Sequence, residues 1–197
     1  MDHVAAPARI LTIPNLLTIG RIAAVPALVV CMALVPQEAG RWLALGIFAA
    51  ASATDWLDGY LARIWQQQSE LGRMLDPIAD KLLVGATLVM LVHDNTIDGM
   101  AVYAAVIVLC REILVSGLRE YLAGLDVTVH VTWLSKWKTA VQMLALGVFV
   151  AGPAGDSILL GLHATGIALL WLAALLTIWT GYGYLRAALS RAIGGYP

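Results

Sequence analysis

Charge is scarce in this chain. Asp, Glu, Lys and Arg make up 13% of its 197 residues, the formal net charge is -1, and no run of like charges occurs. A balance this close to zero excludes a basic nucleic-acid binder, and the absence of charge runs excludes an acidic tail or a nucleic-acid arm. Cysteine is nearly missing too. Cys31 and Cys110 lie in apolar stretches, where a free thiol behaves as a small hydrophobe, so neither a disulfide framework nor a zinc centre is supported. The segment Met1 to Arg9 lacks the basic region that opens a secretory signal, and no small-residue cleavage site follows the first apolar stretch, which is read as a retained span. Internal repeats, low-complexity tracts and domain boundaries are absent, so a single domain over residues 1–197 is expected. No Ser-His-Asp or Cys-His arrangement suggests a covalent nucleophile. His3, His93, His130 and His163 are scattered and read as interfacial or structural.

Apolar sequence is what the chain has in abundance. Hydrophobic residues account for 60% of it and the mean hydropathy is +0.82, outside the usual range of soluble domains. A helix crosses a bilayer with roughly 20 mostly apolar residues. Apolar stretches run from about Leu16 to Val35, Arg41 to Leu57, Leu75 to Val92, Met100 to Leu118, Trp133 to Val150 and Ile158 to Tyr184. They predict an all-α integral membrane protein, a bundle of six transmembrane helices. The breaks carry turn chemistry: Pro36-Gln37-Glu38, Gln66 to Ser69, His93-Asp94-Asn95, Gly124 to His130, and Gly152 to Asp156. A six-span alternation puts Arg9, Arg21, Arg63, Arg73, Arg119, Lys136, Arg186 and Arg191 on one side and Arg41 on the other. Lys and Arg accumulate in cytoplasmic loops, so both termini are expected in the cytoplasm.

Ionisable residues inside a span are costly and usually face a bundle interior or a wet cavity. Here they cluster. Asp55 and Asp58 are at i,i+3 near the end of the second expected helix, and Asp76 and Asp80 are at i,i+4 near the start of the third. Each pair shares a helix face, so two neighbouring antiparallel helices can aim all of them at one point near the cytoplasmic surface. Anions so confined repel one another unless cations neutralise them, and their hard oxygens suit Mg²⁺, Mn²⁺ or Ca²⁺. For Asp76 alone, an N-cap with Pro77 at the first helical position is an alternative. It leaves Asp55 and Asp58 unexplained. Gly59 and Gly72 let a bulky ligand approach the backbone, and Ala62 is small and one turn beyond Asp58. Arg63 either forks onto a phosphate or snorkels to the interface.

Together these residues fill every fixed position of D-x2-D-G-x2-A-R-x8-G-x3-D-x3-D: Asp55, Asp58, Gly59, Ala62, Arg63, Gly72, Asp76 and Asp80. The pattern resembles the signature of the CDP-alcohol phosphatidyltransferase family. Flanking blocks extend the resemblance over nearly the whole chain: Ile13 to Thr18 with Arg21, Leu75 to Lys81, Arg111-Glu112-Ile113, Leu118-Arg119-Glu120, and Trp133 to Thr139. These blocks are similar to those of members whose acceptor is glycerol 3-phosphate. The resemblance implies a six-helix, usually dimeric enzyme of the bacterial inner membrane with its site facing the cytoplasm. It implies two divalent cations, Mg²⁺ or Mn²⁺, held by Asp55, Asp58, Asp76 and Asp80, with Asp80 as general base. It also implies a CDP site lined by Asp58, Gly59, Ala62, Arg63 and Gly72. The expected substrates are CDP-diacylglycerol and sn-glycerol 3-phosphate, used among membrane lipids in phospholipid biosynthesis.

A phosphorylated acceptor requires a second anion site. Arg111, Arg119, Lys136 and Lys138 are the candidates. Arg111 and Arg119 are two turns apart on roughly one face, whereas Lys136 and Lys138 point apart in a helix. Positive-inside topology accounts for the same residues without a ligand, and Glu112 offers Arg111 an ion pair. Asn15, Thr18 and Arg21 form a polar stripe that either supports the nucleotide site or hydrogen-bonds between helices. Two alternatives stand beside this function. One keeps the metal site and changes the acceptor to phosphatidylglycerol, as in a cardiolipin synthase, to inositol phosphate, or to serine. The other is a cation or proton transporter, in which carboxylates would sit at the midplane of broken helices.

Overall fold

The computed structural model describes residues 12–64, 70–125 and 133–193, without the side chains of a few positions, 58–63 and 73 among them. The described residues form six helices: α1 (Ile13–Leu34), α2 (Gln37–Ile64), α3 (Glu70–His93), α4 (Ala101–Gly124), α5 (Trp133–Asp156) and α6 (Leu162–Ile193). Four segments are long and apolar enough to cross a membrane: Asn15–Leu34, Ala101–Gly124, Trp133–Asp156 and Leu162–Arg191. Among the described residues, four of the six crossings expected from sequence thus meet the requirement of length and composition. Helices α2 and α3 have the length, 28 and 24 residues, but carry too much charge. Glu38, Arg41, Asp55, Asp58 and Arg63 lie in the first, and Glu70, Arg73, Asp76, Asp80 and Lys81 in the second. The polarity of the carboxylate motif is what sets these two helices apart.

Local sequence accounts for the helix ends. Thr12 caps α1, its hydroxyl accepting the Asn15 N–H at 3.4 Å, and Pro14 stands in the first turn, where a missing N–H loses no helical bond. Helix α3 begins at Glu70, so Asp76 and Pro77 lie inside it and the capping alternative for Asp76 is excluded. Pro77 removes one intrahelical donor, and Lys81 Nζ donates to its carbonyl at 2.7 Å. After α3, the Asp94 side chain accepts the Thr96 N–H at 2.9 Å in a turn where Asn95 has φ 58°. The break expected from Gly152 to Asp156 is a kink within α5. Gly152 has φ 48° and ψ -134°, a conformation open essentially to glycine alone.

The chain divides into two compact units, Met1–Ala86 and Thr87–Pro197. In the first, α1 and α2 form a close hairpin. A Cβ on Gly40 would lie 2.7 Å from the Cys31 carbonyl oxygen and 2.9 Å from that of Val35, so only glycine permits this approach. Buried apolar residues of this unit include Leu28, Ala44, Phe48, Ala51, Ala79 and Leu83. In the second unit α6 packs on both α4 and α5, burying Val108, Val115, Leu146, Phe149, Leu170 and Tyr184. Leu144, Leu175 and Trp179 are exposed on these helices, which suits surroundings of hydrocarbon rather than water.

Candidate active site

The polar stripe of α1 is buried: Asn15, Thr18 and Arg21 are 1%, 1% and 2% exposed. An apolar helix keeps such groups inside only when they find partners. The Thr18 hydroxyl donates to Asp76 Oδ1 on α3 at 2.6 Å, and Arg21 Nη1 donates to Asp55 Oδ1 on α2 at 2.6 Å. Thr18 and Arg21 are one turn apart on the same face. Helix α1 therefore draws the leading carboxylate of each half of the motif to one place, and Thr18 and Arg21 of the stripe make hydrogen bonds between helices. The ion pair is lopsided, with side-chain exposures of 1% for Arg21 and 50% for Asp55. Its cation lies in the interior and its carboxylate is half open.

Each of these contacts occupies one oxygen, and the second oxygens of Asp55 and Asp76 receive no hydrogen bond among the described residues. Oriented carboxylates with an oxygen to spare are a fitting donor set for a hard divalent cation. Asp80 follows one turn after Asp76 and is half-buried, and Gly72 is buried in the first turn of α3. The backbones of Asp58, Gly59, Ala62 and Arg63 belong to the last two turns of α2, and their side chains lie outside the described residues. Among the described residues no three His, Cys, Asp or Glu groups enclose an ion position.

A second polar cluster lies in the unit Thr87–Pro197. Arg111 on α4 uses every edge of its guanidinium: Nε donates to the Thr177 carbonyl at 3.1 Å, Nη2 to Thr180 Oγ1 at 2.9 Å, and Nη1 to Glu112 Oε1 at 3.0 Å. Lys138 on α5 is 5% exposed and donates from Nζ to the same Glu112 Oε1 at 2.5 Å. One carboxylate so joins α4 to α5, and one guanidinium joins α4 to α6. The ion pair open to Arg111 in the sequence is formed, and Lys138 shares it. Two cations thus meet on one carboxylate within apolar helices.

The other basic candidates are placed differently. The Arg119 guanidinium carbon stands 5.6 Å from the centre of the Tyr184 ring, with Nη2 3.4 Å from the Tyr184 hydroxyl. Lys136 is exposed while Lys138 is buried, as their spacing on a helix requires. Residues not singled out from sequence complete the cluster. Thr177, Thr180, Gly181 and Tyr184 recur at i, i+3, i+4 and i+7 along α6, a polar stripe that helical periodicity could have flagged. A Cβ on Gly181 would meet Arg111 Cγ and Nε, each at 3.4 Å. Gln142, 2% exposed, lies one turn after Lys138, and its polarity within an apolar span was the available signal.

Comparison with known proteins agrees with the motif. Residues 11–179 match the profile of the CDP-alcohol phosphatidyltransferase family. A Rickettsia bellii protein named CDP-diacylglycerol--glycerol-3-phosphate 3-phosphatidyltransferase is 45% identical over 89% of this chain and 94% of its own length. A Haemophilus influenzae protein of the same name is 42% identical over 89% of this chain and 92% of its own. A rice protein named cardiolipin synthase (CMP-forming) is 42% identical over 91% of this chain and 58% of its own.

Proposed function

This chain belongs to the CDP-alcohol phosphatidyltransferase family, and we propose that it transfers the phosphatidyl group of CDP-diacylglycerol to sn-glycerol 3-phosphate, forming phosphatidylglycerol phosphate and CMP. One observation carries the proposal: the complete motif, with Asp55 and Asp76 fixed on α1 by Arg21 and Thr18, in a chain whose relatives bear that name. The carboxylates Asp55, Asp58, Asp76 and Asp80 are assigned as ligands of two divalent cations, Mg²⁺ or Mn²⁺. When bound, such ions neutralise a pyrophosphate and stabilise departing CMP.

The chain's own residues supply the rest. Arg21 and Thr18 hold one oxygen of each ligand carboxylate and so orient the other. Asp58, Gly59, Ala62, Arg63 and Gly72 line the cytidine nucleotide. As the acceptor hydroxyl attacks phosphorus, its proton passes to Asp80 and the bond to CMP breaks. Lys138 and Arg111 take the acceptor phosphate, with Arg119 and Lys136 on its approach. Six crossings complete the proposal, because α2 and α3 at 28 and 24 residues are long enough to span with their carboxylates near one surface. Both termini and the site then face the cytoplasm of a bacterial inner membrane, in a single catalytic domain that works as a homodimer.

Membership of a transferase family sets the transporter aside. The rice relative favours one second reading, with phosphatidylglycerol as acceptor, because it is as similar to this chain as the Haemophilus protein. The buried cluster around Lys138 and Arg111 favours a phosphomonoester. Purified protein in detergent with CDP-diacylglycerol and Mg²⁺ is expected to release CMP with glycerol 3-phosphate and not with inositol phosphate, phosphatidylglycerol or serine. Release with phosphatidylglycerol alone would transfer the assignment to a cardiolipin synthase.

A further inference from the structure

Two buried oxygens in the unit Thr87–Pro197, Gln142 Oε1 and Thr177 Oγ1, have no hydrogen-bond partner among the described residues. Their residues are 2% and 0% exposed. Leaving such atoms unpaired is costly, and hydrocarbon side chains of similar shape would avoid the loss. Both adjoin the same charges. Thr177 receives Arg111 Nε on its own carbonyl, and Gln142 follows Lys138 by one turn on the same face of α5. Arg111 and Lys138 in turn meet on Glu112 Oε1. The cluster is thus incomplete in its oxygens, two of which lack partners. A phosphate ester that also carries a free hydroxyl group supplies what they lack.

We infer that Gln142 and Thr177 are specificity-determining residues that hydrogen-bond the non-reacting hydroxyl of a hydroxylated phosphomonoester. Gln142 Oε1 accepts the hydroxyl proton, and the Thr177 hydroxyl donates to the hydroxyl oxygen. Glu112 is a positioning residue that keeps Lys138 and Arg111 together for the phosphate. This rests on the proposal that the cluster receives the acceptor. A site built to bond a hydroxyl rejects the analogue lacking it, because its own polar groups then stay unpaired. Bare phosphate carries no such hydroxyl.

The test compares kcat/KM for glycerol 3-phosphate and for propane-1,3-diol monophosphate, which keeps the phosphate and the reacting hydroxyl but lacks the middle one. Wild type is expected to prefer glycerol 3-phosphate by about tenfold or more. Thr177→Val and Gln142→Met should each lose about three- to tenfold with glycerol 3-phosphate and nothing with the analogue, and Thr177→Ser should restore the preference. Without substrates, Thr177→Val should unfold at a temperature no lower than wild type, since it removes an unpartnered oxygen. Equal losses with both acceptors, or an unchanged preference in both variants, overturns the inference and leaves the proposed function standing. Wild type that releases CMP with neither acceptor overturns the proposed function and the inference with it.

Discussion

Removing the partners of the Arg21–Asp55 pair one at a time is expected to have unequal effects. The bond is 2.6 Å long, yet the Arg21 side chain is 1% exposed and that of Asp55 is 50% exposed. Asp55→Ala leaves a guanidinium in the interior without this carboxylate, a loss of about 3–5 kcal/mol when a buried pair is broken. Arg21 keeps further interactions, which places the loss at the low end, about 3 kcal/mol. Arg21→Met instead removes the buried charge, fills much of its volume, and leaves a carboxylate that is already half solvated, for a loss of about 1 kcal/mol. In a chain of this size 1 kcal/mol moves Tm by about 2–4 °C, so Asp55→Ala should fall by about 6–12 °C and Arg21→Met by about 2–4 °C. Tryptophan fluorescence during heating in detergent reads both, with EDTA present to remove any stabilisation by bound cations. A drop for Arg21→Met as large as that for Asp55→Ala would refute the claim that burial of the cation decides the outcome.

Thr18→Val frees Asp76 Oδ1 and is expected to weaken the apparent affinity for Mg²⁺ by about tenfold or more, read from the metal dependence of CMP release; an unaltered dependence would deny Thr18 this role. Asp80→Asn should abolish CMP release while leaving Tm within about 3 °C, a shift of about 1 kcal/mol, and retained activity would remove Asp80 as the base. Lys138→Ala and Arg111→Ala should raise the KM for glycerol 3-phosphate by about 10- to 100-fold, the worth of a charge-assisted hydrogen bond. An unchanged acceptor KM with altered CDP-diacylglycerol binding would reassign both residues to the nucleotide. Gly40→Val forces side-chain atoms against the Cys31 and Val35 carbonyls and should cost about 1–3 kcal/mol, whereas a variant as stable as wild type would show that the α1–α2 approach is not tight.

Helix number was legible because apolar runs and turn residues alternate clearly, and helix boundaries were less so. Apolarity placed the start of the third helix at Leu75, whereas α3 begins at Glu70, because a polar first turn carries no hydropathy signal. The capping alternative at Asp76 fell for the same reason: an Asp-Pro step marks a helix start only where no helix precedes it, and α3 already runs from Glu70. The Gly152-Pro153 pair announced a break that packing turned into a kink, since glycine supplies the backbone angle while the helix resumes. The stripe Asn15, Thr18, Arg21 was visible as a period, but period names a face and not its partner. That Thr18 meets Asp76 and Arg21 meets Asp55 depends on how three helices pack. Glu112 illustrates the same limit, because adjacency in sequence suggested Arg111 while its closer donor, Lys138, comes from another helix.

The most direct measurement is mass spectrometry of the lipid product after the purified protein is incubated with CDP-diacylglycerol, glycerol 3-phosphate and Mg²⁺. Phosphatidylglycerol phosphate formed in step with CMP, and lost both with EDTA and in Asp80→Asn, is the predicted result. A different phosphatidyl product, or phosphatidylglycerol phosphate formed equally well with EDTA or by Asp80→Asn, would contradict it.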